Sequence, residues 1–384
     1  MYRFFNRVWL YLRHVDYLLL SLVMAVSLYS LLLLKSVSRA TTANYFTTQL
    51  FAIILGFVGA WFLTLIDYHT LGNFWYLIAG FSIFLMLYTM VFGISITNEG
   101  GVNAKAWISI GGKTFQSSEL VKIAFMITFA KHLELVCSRG LQDRFSMVLL
   151  LFAHALIPMG LCHLQGDDGA AVIFFCMFLC MSWSAGIRKR YFLLLFGLAL
   201  IAVPLLWQFV LSDYQKARFT AVYNLDDPSV ARGDGYQQYQ ARISIGSGQF
   251  SGRGLFQGPR VENNSVTFQQ SDFIFSVAGE ELGFVGCMLI LILLFLLLGR
   301  VLYDGLKTKD LMGRCLCAGF FGWVASQAVF NIGMCLALLP VMGVTLPFFS
   351  GGGSSAMCLY FAYGLVQNVF RHHKDVSGLN LRRL

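Results

Sequence analysis

Charged residues are scarce in this sequence. Lysine, arginine, aspartate and glutamate make up 12% of the 384 residues, whereas hydrophobic residues make up 57%, and the mean hydropathy is +0.68. An ordinary soluble domain carries about a quarter charged residues. The composition therefore excludes a soluble globular domain and predicts an all-α polytopic membrane protein.

Signatures of several other protein classes are absent as well. No G-x4-G-K-[S/T] pattern is present, so nucleotide binding has no support. All nine cysteines lie in or beside apolar segments, and none lies in the long polar segment 212–271, which excludes a disulfide framework. Cys315-x-Cys317 and Cys176-x3-Cys180 lack histidine or acidic companions, which argues against a metal site. Without tandem repeats or low-complexity tracts, the sequence predicts a single integral membrane domain, 1–384.

Ten apolar runs are candidate membrane spans. They cover residues 17–34, 48–66, 74–95, 119–136, 146–164, 169–187, 191–211, 272–299, 315–340 and 352–370. The first run follows three arginines, as in a signal peptide, but its length favours an uncleaved span. The runs predict about ten transmembrane helices, with one long extracellular loop, 212–271, between the seventh and eighth.

Basic residues are distributed unevenly between the two sides of these spans. If the N-terminus is inside, 17 of the 28 lysines and arginines lie in inner segments and four lie in the short outer loops. This asymmetry fits the positive-inside rule and predicts that both termini are cytoplasmic. It also accounts for the formal net charge of +9 without a nucleic-acid partner.

Three acidic residues stand at the start of the eighth run, Asp272, Glu280 and Glu281. On a helix, Glu280 lies about 80° round from Asp272 and about 12 Å further along, while Glu281 points the opposite way. Ionisable groups at membrane depth usually face a cavity or a partner, so all three are candidate site residues. The alternative is an interfacial helix start, where acids complement the helix dipole.

A second group of candidates precedes and opens the fourth run. Glu119 and Lys122 are spaced i, i+3 and can pair on one helix face. Lys122 is the one basic residue well inside a span, so the pair is either part of a site or purely structural. Lys105 and Trp107 lie just upstream, and a tryptophan suits the outer interface of the membrane.

Other polar residues adjoin the outer ends of the later spans. Asp167 lies in the turn 164–169, which either binds a cation or is a solvated turn. Gln240 and Arg242 lie in loop 212–271, whose six basic residues indicate attraction to an anionic group such as phosphate. Gln327 and Asn331, at i, i+4, are expected to form hydrogen bonds between helices.

Residues 339–355 contain two prolines and a glycine run that ends in Ser354 and Ser355. This composition fits a re-entrant or broken segment, in which protein or water must satisfy the backbone. Transporters have such breaks too, so the segment does not discriminate between an enzyme and a transporter.

Several motifs resemble those of the SEDS family (shape, elongation, division and sporulation), which includes RodA, FtsW and SpoVE. They are Gly246-Ser-Gly248, Asp272-Phe-Ile-Phe with Glu280-Glu-Leu-Gly283, Asn331-Ile-Gly-Met, and Leu346-Pro-Phe-Phe-Ser-Gly-Gly-Gly-Ser-Ser355. The resemblance covers nearly the whole chain. It implies a peptidoglycan glycosyltransferase of the bacterial cytoplasmic membrane that polymerises lipid II together with a class B penicillin-binding protein.

The resemblance also implies roles for individual residues. It places the essential acid of the family at Asp272, its Gln-Pro-Ser-Glu-x-x-Lys motif at residues 116–122, and its Gln-Pro-Asp-Leu-Gly turn at residues 165–169. Ser117 and Gly166 replace the two prolines, and Ala106 replaces an arginine, with Lys105 one place earlier. The Pro-Glu-x-His-Thr that commonly precedes the acid is here Thr267-Phe-Gln-Gln-Ser271. The short termini favour a RodA-like elongation role.

The implied reaction joins a sugar 4-hydroxyl to an anomeric carbon that carries a pyrophosphate. One carboxylate near the outer surface suffices as general base, because an α-linked donor that gives a β-1,4 bond is inverted once. Cationic groups or a divalent metal, Mg²⁺ or Mn²⁺, can stabilise the departing pyrophosphate. Two alternatives are a lipid II flippase, or another amphiphile exporter without bond chemistry, and a non-catalytic scaffold for the penicillin-binding protein.

Overall fold

The computed structural model describes residues 15–97, 103–209 and 211–381. The described helices are α1 (Tyr17–Ala40), α2 (Tyr45–Leu65), α3 (Tyr68–Asn73), α4 (Trp75–Phe92), α5 (Ser117–Ser138), α6 (Phe145–Leu164), α7 (Asp168–Ser184), α8 (Lys189–Phe209), α9 (Asp213–Ala221), α10 (Pro228–Arg232), α11 (Tyr236–Gly248), α12 (Pro259–Glu262), α13 (Ile274–Lys307), α14 (Leu311–Cys335) and α15 (Gly353–Leu381).

Each of the ten apolar runs coincides with a helix. Seven helices in the described ranges are long and apolar enough to cross a membrane, namely α1, α2, α4, α6, α8, α13 and α14. The protein is therefore a multi-pass helical membrane protein, as its composition predicted. That α5, α7 and α15 also cross the membrane stays a prediction.

The helices pack closely where small residues lie at their interfaces. Gly56 of α2 lies against Tyr360 of α15, and a Cβ at Gly364 would approach the Cα of Ala60 to 2.6 Å. Small residues let helix backbones approach within a membrane, where no water drives them together. Helix α14 is the most buried of the seven apolar helices, whereas no described residue of α8 is buried.

A small antiparallel sheet lies between α4 and α5, in a region for which the sequence predicted only helices and loops. Its strands are β1 (Ile94–Thr97), β2 (Asn103–Ile110) and β3 (Lys113–Gln116), in the order β1-β2-β3. Gly111 and Gly112, with φ of 58° and 78°, form the two-residue turn between β2 and β3. Two positive φ angles are what a type I′ hairpin turn requires, and glycine adopts them without strain.

Segment 212–271 contains four short helices, α9 to α12, and packs on the first turns of α13. Helix α11 touches α13 so closely that a Cβ at Gly248 would lie 1.9 Å from the carbonyl oxygen of Gly279. We call this end of the helix bundle the loop face. The opposite end, where Asp16 caps α1 and binds Arg300, is called the terminal face.

Candidate active site

Asp272 lies at the loop face, on the turn just before α13 and outside that membrane-spanning helix. Its side chain is half-buried, and Oδ2 is 3.9 Å from the position that a Cβ on Gly343 would take. Burial raises the pKa of Asp272 to about 6, while a hydrogen bond from Ser271 and the charge of Arg218 lower it in part. The acid is therefore a stronger base than an exposed aspartate but is mostly ionised at neutral pH.

The predicted broken segment 339–355 passes directly beside this acid. Residues 340–346 have no helix or strand, and a short turn follows before α15 begins at Gly353. The segment also touches the first turn of α7, because a Cβ at Gly169 would lie 2.5 Å from the Met342 carbonyl oxygen. One non-helical segment thus connects Asp272 to the region of Asp167.

Asp167 lies at the centre of a hydrogen-bonded cluster at the start of α5 and α7. Its Oδ2 accepts from Gln116 Nε2 at 2.7 Å and from Ser118 Oγ at 3.1 Å, and its Oδ1 accepts from the backbone N–H of Ala170 at 3.1 Å. Ser354 joins the same cluster through a 3.5 Å hydrogen bond from the backbone N–H of Gln116. The structure therefore brings together candidate residues from 116–122, from 165–169 and at 354, which the sequence proposed separately.

Glu119 and Lys122 form the predicted ion pair below this cluster. Lys122 Nζ lies 2.8 Å from Glu119 Oε1, and both side chains are buried. The ammonium group also lies over the ring of Trp323, 4.9 Å from its centroid. Glu119 Oε2 has no hydrogen-bond partner among the described residues.

One face of α14 connects the ion pair to the acid. Trp323, Gln327 and Asn331 follow one another at intervals of four residues, so they lie on one stripe about 12 Å long. Trp323 meets Lys122, and Asn331 Nδ2 donates to the main-chain oxygen of Asp272 at 2.7 Å. Gln327, buried between them, has an Oε1 without a partner among the described groups.

Helix α9 brings a cation towards the acid. Gln215 Nε2 donates to Asp168 Oδ2 at 3.0 Å, which ties the start of α9 to the start of α7. Arg218, one turn further along, is half-buried and lowers the pKa of Asp272 by its charge. The sequence offered Arg218 only as one of six basic residues in the loop.

The structure places Glu280 and Glu281 against the loop and α1. Both are fully buried in α13. Glu280 Oε1 accepts from the backbone N–H of Arg260 at 2.7 Å, and Glu281 Oε1 accepts from Ser36 Oγ at 2.5 Å. Glu281 also accepts hydrogen bonds from the backbone of Phe256 and Gly258. The two glutamates thus anchor segment 256–260 and are not part of the cluster around Asp272.

Gln240 and Arg242 lie apart from Asp272 as well. Gln240 Oε1 accepts from the guanidinium of Arg260, whose Nε donates to Ser244 Oγ at 2.9 Å. Arg242 makes an exposed 3.7 Å pair with Asp226. Arg260 is thus held by loop residues, which weakens the expectation that the basic residues of the loop act together on a phosphate.

Lys105 and Trp107 lie on β2, beside the Asp167 cluster. The backbone N–H of Lys105 donates to Gln165 O at 3.0 Å, and the Lys105 side chain is exposed. Trp107 is the register partner of Gln116 in β3. The sheet therefore positions Gln116, a relation that helix periodicity could not reveal.

The sequence assigned no individual site role to Ser350 or Gly343. Ser350 Oγ hydrogen-bonds Ser271 O next to the acid. The sequence contained a signal for both residues, because they lie in the proline- and glycine-rich segment. Their contacts with residues far away in the chain could not be read from that composition.

The described carboxylates at this site do not form a group of three that could together hold a divalent cation. Asp167 is occupied by three neutral donors, and Glu119 is paired with Lys122. Among the described residues, a cluster of three close metal-ligating side chains occurs at the terminal face instead, formed by His69, Glu134 and Asp310. We therefore derive no step through a metal.

These observations define a class: a multi-pass helical membrane protein whose polar site surrounds one acidic residue at one end of the bundle. The chain belongs to the FtsW/RodA/SpoVE family, whose model, described as cell cycle protein, matches residues 9–375.

Relatives and a solved structure agree with this assignment. Peptidoglycan glycosyltransferase MrdB of Escherichia coli strain K12 is 31% identical over 305 residues, 78% of this chain and 80% of MrdB. A probable peptidoglycan glycosyltransferase FtsW of Trichlorobacter lovleyi is 31% identical over 371 residues, 93% of each chain. A chain in a solved peptidoglycan synthase complex is 30% identical with a TM-score of 0.80, and the match covers 94% of this chain and 98% of that one.

Proposed function

We propose that this chain is a peptidoglycan glycosyltransferase that polymerises lipid II, with Asp272 as its general base. The observation that carries the proposal is the half-buried Asp272 carboxylate at the loop face, where α13, α14, α9 and segment 339–355 converge. Relatives across most of the chain are named peptidoglycan glycosyltransferases. The structural neighbour is described as coordinating polymerization and crosslinking.

The reaction follows from the chemistry of the acid. The 4-hydroxyl of the acceptor sugar attacks the anomeric carbon of the donor, and the bond from that carbon to the pyrophosphate oxygen breaks. Asp272 takes the hydroxyl proton, and undecaprenyl pyrophosphate leaves with the bonding electrons. A pKa near 6 suits this role, because a base works best when its pKa is close to the working pH. The charge of Arg218 favours the ionised form of Asp272, the form that can accept the proton.

Location and partners follow from charge and family. The excess of basic residues in inner segments supports a bacterial cytoplasmic membrane protein with both termini inside, which puts the loop face outside. Membrane lipids surround the bundle, and lipid II reaches the site from the outer leaflet. A class B penicillin-binding protein is the proposed partner, since the structural neighbour belongs to a complex that also crosslinks.

Asp272→Asn tests the enzyme against the flippase. The change keeps size and polarity but removes the base, so lipid II polymerisation by the purified chain with its penicillin-binding partner should fall about 10²–10⁴-fold. The matched control is Asp227→Asn, an exposed loop acid that caps α10, where asparagine caps equally well. It should polymerise like the wild type.

The outcome separates the two functions. A well-folded Asp272→Asn protein that still elongates glycan strands at near-wild-type rate removes the general-base role. If instead the wild type itself forms no glycan but moves labelled lipid II across the bilayer of proteoliposomes, the flippase function is correct.

A further inference from the structure

The main-chain carbonyl groups of Asp272 and of the two residues before it each accept a hydrogen bond from a distant part of the chain. The pairs are Gln270 O with the backbone N–H of Gly351 at 2.7 Å, Ser271 O with Ser350 Oγ, and Asp272 O with Asn331 Nδ2 at 2.7 Å. These donors come from α14 and from the broken segment 339–355. The sequence singled out polar residues of α14 and the composition of segment 339–355, but the proposed reaction assigns no role to either element.

The N–H groups of the same turn are also engaged. The carbonyl oxygen of Phe268 accepts from the backbone N–H of Ser271 at 3.0 Å and of Asp272 at 3.1 Å. Phe268 has a φ of 58°, a conformation that costs a bulky residue free energy. The turn that carries the acid is therefore held on both sides of its backbone, even at the cost of local strain.

The holding groups are themselves fixed. Asn331 is fully buried and uses its second amide hydrogen on Val344 O at 2.7 Å, so it joins the acid to the broken segment. Ser350 Oγ accepts from the backbone N–H of Leu346 at 2.8 Å, which directs its own hydrogen to Ser271. Gly351 has little room for a side chain, since a Cβ would lie 2.9 Å from Leu34 Cδ2 and 3.0 Å from the carbonyl oxygen of Gln270.

We infer that Asn331 and Ser350 are positioning residues that fix the Asp272 carboxylate for proton transfer by holding the main chain on which it sits. The inference rests on the proposed function of Asp272. It gives the glycine-rich segment a role, since this segment binds the main chain of residues 270–271 and so leaves the Asp272 carboxylate free to face the substrate. A catalytic group displaced by about 1 Å loses on the order of 10² in rate.

Asn331→Leu is the first test, because leucine has a similar shape but donates no hydrogen bond. The chain provides a matched control in Asn368, equally buried at the terminal face, whose Nδ2 donates to Leu63 O at 2.7 Å and to Ile66 O. Asn331→Leu should lower kcat for lipid II polymerisation about 10²-fold and leave KM within about twofold. Asn368→Leu should melt at a similarly lowered temperature with kcat nearly unchanged.

Ser350→Ala is a second, smaller variant that keeps the inference testable if Asn331→Leu does not fold. Its control is Ser326→Ala on α14, where the buried hydroxyl bonds to Gly322 O at 2.6 Å and Trp323 O at 3.1 Å and contacts Cys176 of α7, but in its described contacts touches neither Asp272 nor its turn. Ser350→Ala should lower kcat about tenfold, with Ser350→Thr recovering part of the loss. Equal kcat in Ser350→Ala and Ser326→Ala would contradict the positioning role.

A double variant separates this inference from the proposed function. If Ser350 acts through the acid, Ser350→Ala should cause no further loss once Asp272 is asparagine, because there is no base left to position. A full additional tenfold loss in the Asp272→Asn background overturns the inference while the proposed function stands. If Asp272→Asn itself polymerises normally, the proposed function fails first, and the positioning role fails with it.

Discussion

The terminal face and the loop face each contain a buried asparagine, but the two asparagines have different roles. Asn368 at the terminal face and Asn331 at the loop face each donate two hydrogen bonds to main-chain carbonyls. At the terminal face these carbonyls end helix α2, where the last turn leaves oxygens without helical partners. At the loop face they belong to the turn of Asp272 and to the broken segment. One asparagine completes a helix, and the other holds an acid in place.

The carboxylates differ in the same way. Asp16 at the terminal face is 2.7 Å from Arg300 Nε, and Asp304 is 3.2 Å from the same guanidinium. Asp272 is instead kept basic, because burial outweighs the hydrogen bond from Ser271 and the charge of Arg218. A neutralised carboxylate stabilises a fold, whereas a carboxylate with a raised pKa is available for chemistry.

Replacement of Lys122 should have the largest effect. Lys122→Met leaves the buried carboxylate of Glu119 without its cation, which costs about 3–5 kcal/mol in buried pairs. Lys131→Met is the matched control: Lys131 pairs with Glu134 at 2.7 Å, at the same spacing in the same helix, but is partly exposed. That change should cost below about 1 kcal/mol.

Melting temperature and polymerisation rate check this prediction together. The exchanged pair, Glu119→Lys with Lys122→Glu, should recover part of both losses. If Lys122→Met is as mild as Lys131→Met, the buried pair contributes to neither stability nor activity.

Local pattern predicted the parts of this structure that depend on near neighbours. Apolar length found the ten helices, and the i, i+3 spacing found the Glu119–Lys122 pair. The sheet, the Asp167 cluster and the support of Asp272 by Ser350 were not predicted. Ser350 and Ser271 are 79 positions apart in the chain, and no periodicity reports such a contact. Glu280 and Glu281 show the converse, since their position beside Asp272 in the sequence suggested a shared site that the structure does not form.

The pH dependence of activity should show the basicity of Asp272. Since its pKa is about 6, activity should halve near pH 6 and fall about tenfold by pH 5, as the base is protonated. Stability changes in the opposite sense. The folded state binds this proton more tightly than the unfolded state, so the contribution of Asp272 to the free energy of unfolding is full below about pH 4 and lost as pH rises through 6.

Two measurements check this prediction, a polymerisation rate profile from pH 5 to 8 and melting curves of wild type and Asp272→Asn over the same range. As pH rises from 5 to 7, the melting temperature of the asparagine variant should increase relative to that of the wild type, because only the wild type loses the contribution of a protonated Asp272. A flat rate profile below pH 6, in protein that remains folded, would contradict the raised pKa.

Arg300→Gln should have the smallest effect on activity, together with a measurable loss of stability. Arg300 holds Asp16 and Asp304 at the terminal face, away from the acid, so its loss leaves two buried carboxylates without their cation. We expect a stability loss of about 1–3 kcal/mol, less than for a fully buried pair because the Arg300 side chain is 19% exposed. Arg188→Gln, which breaks an exposed pair with Asp143, should change the melting temperature little.

The polymerisation rate per folded molecule should stay within about twofold of wild type for both variants, since distant sites contribute independently. A rate loss for Arg300→Gln as large as that for Ser350→Ala would show that the two faces are coupled, and that the terminal face does more than stabilise the bundle.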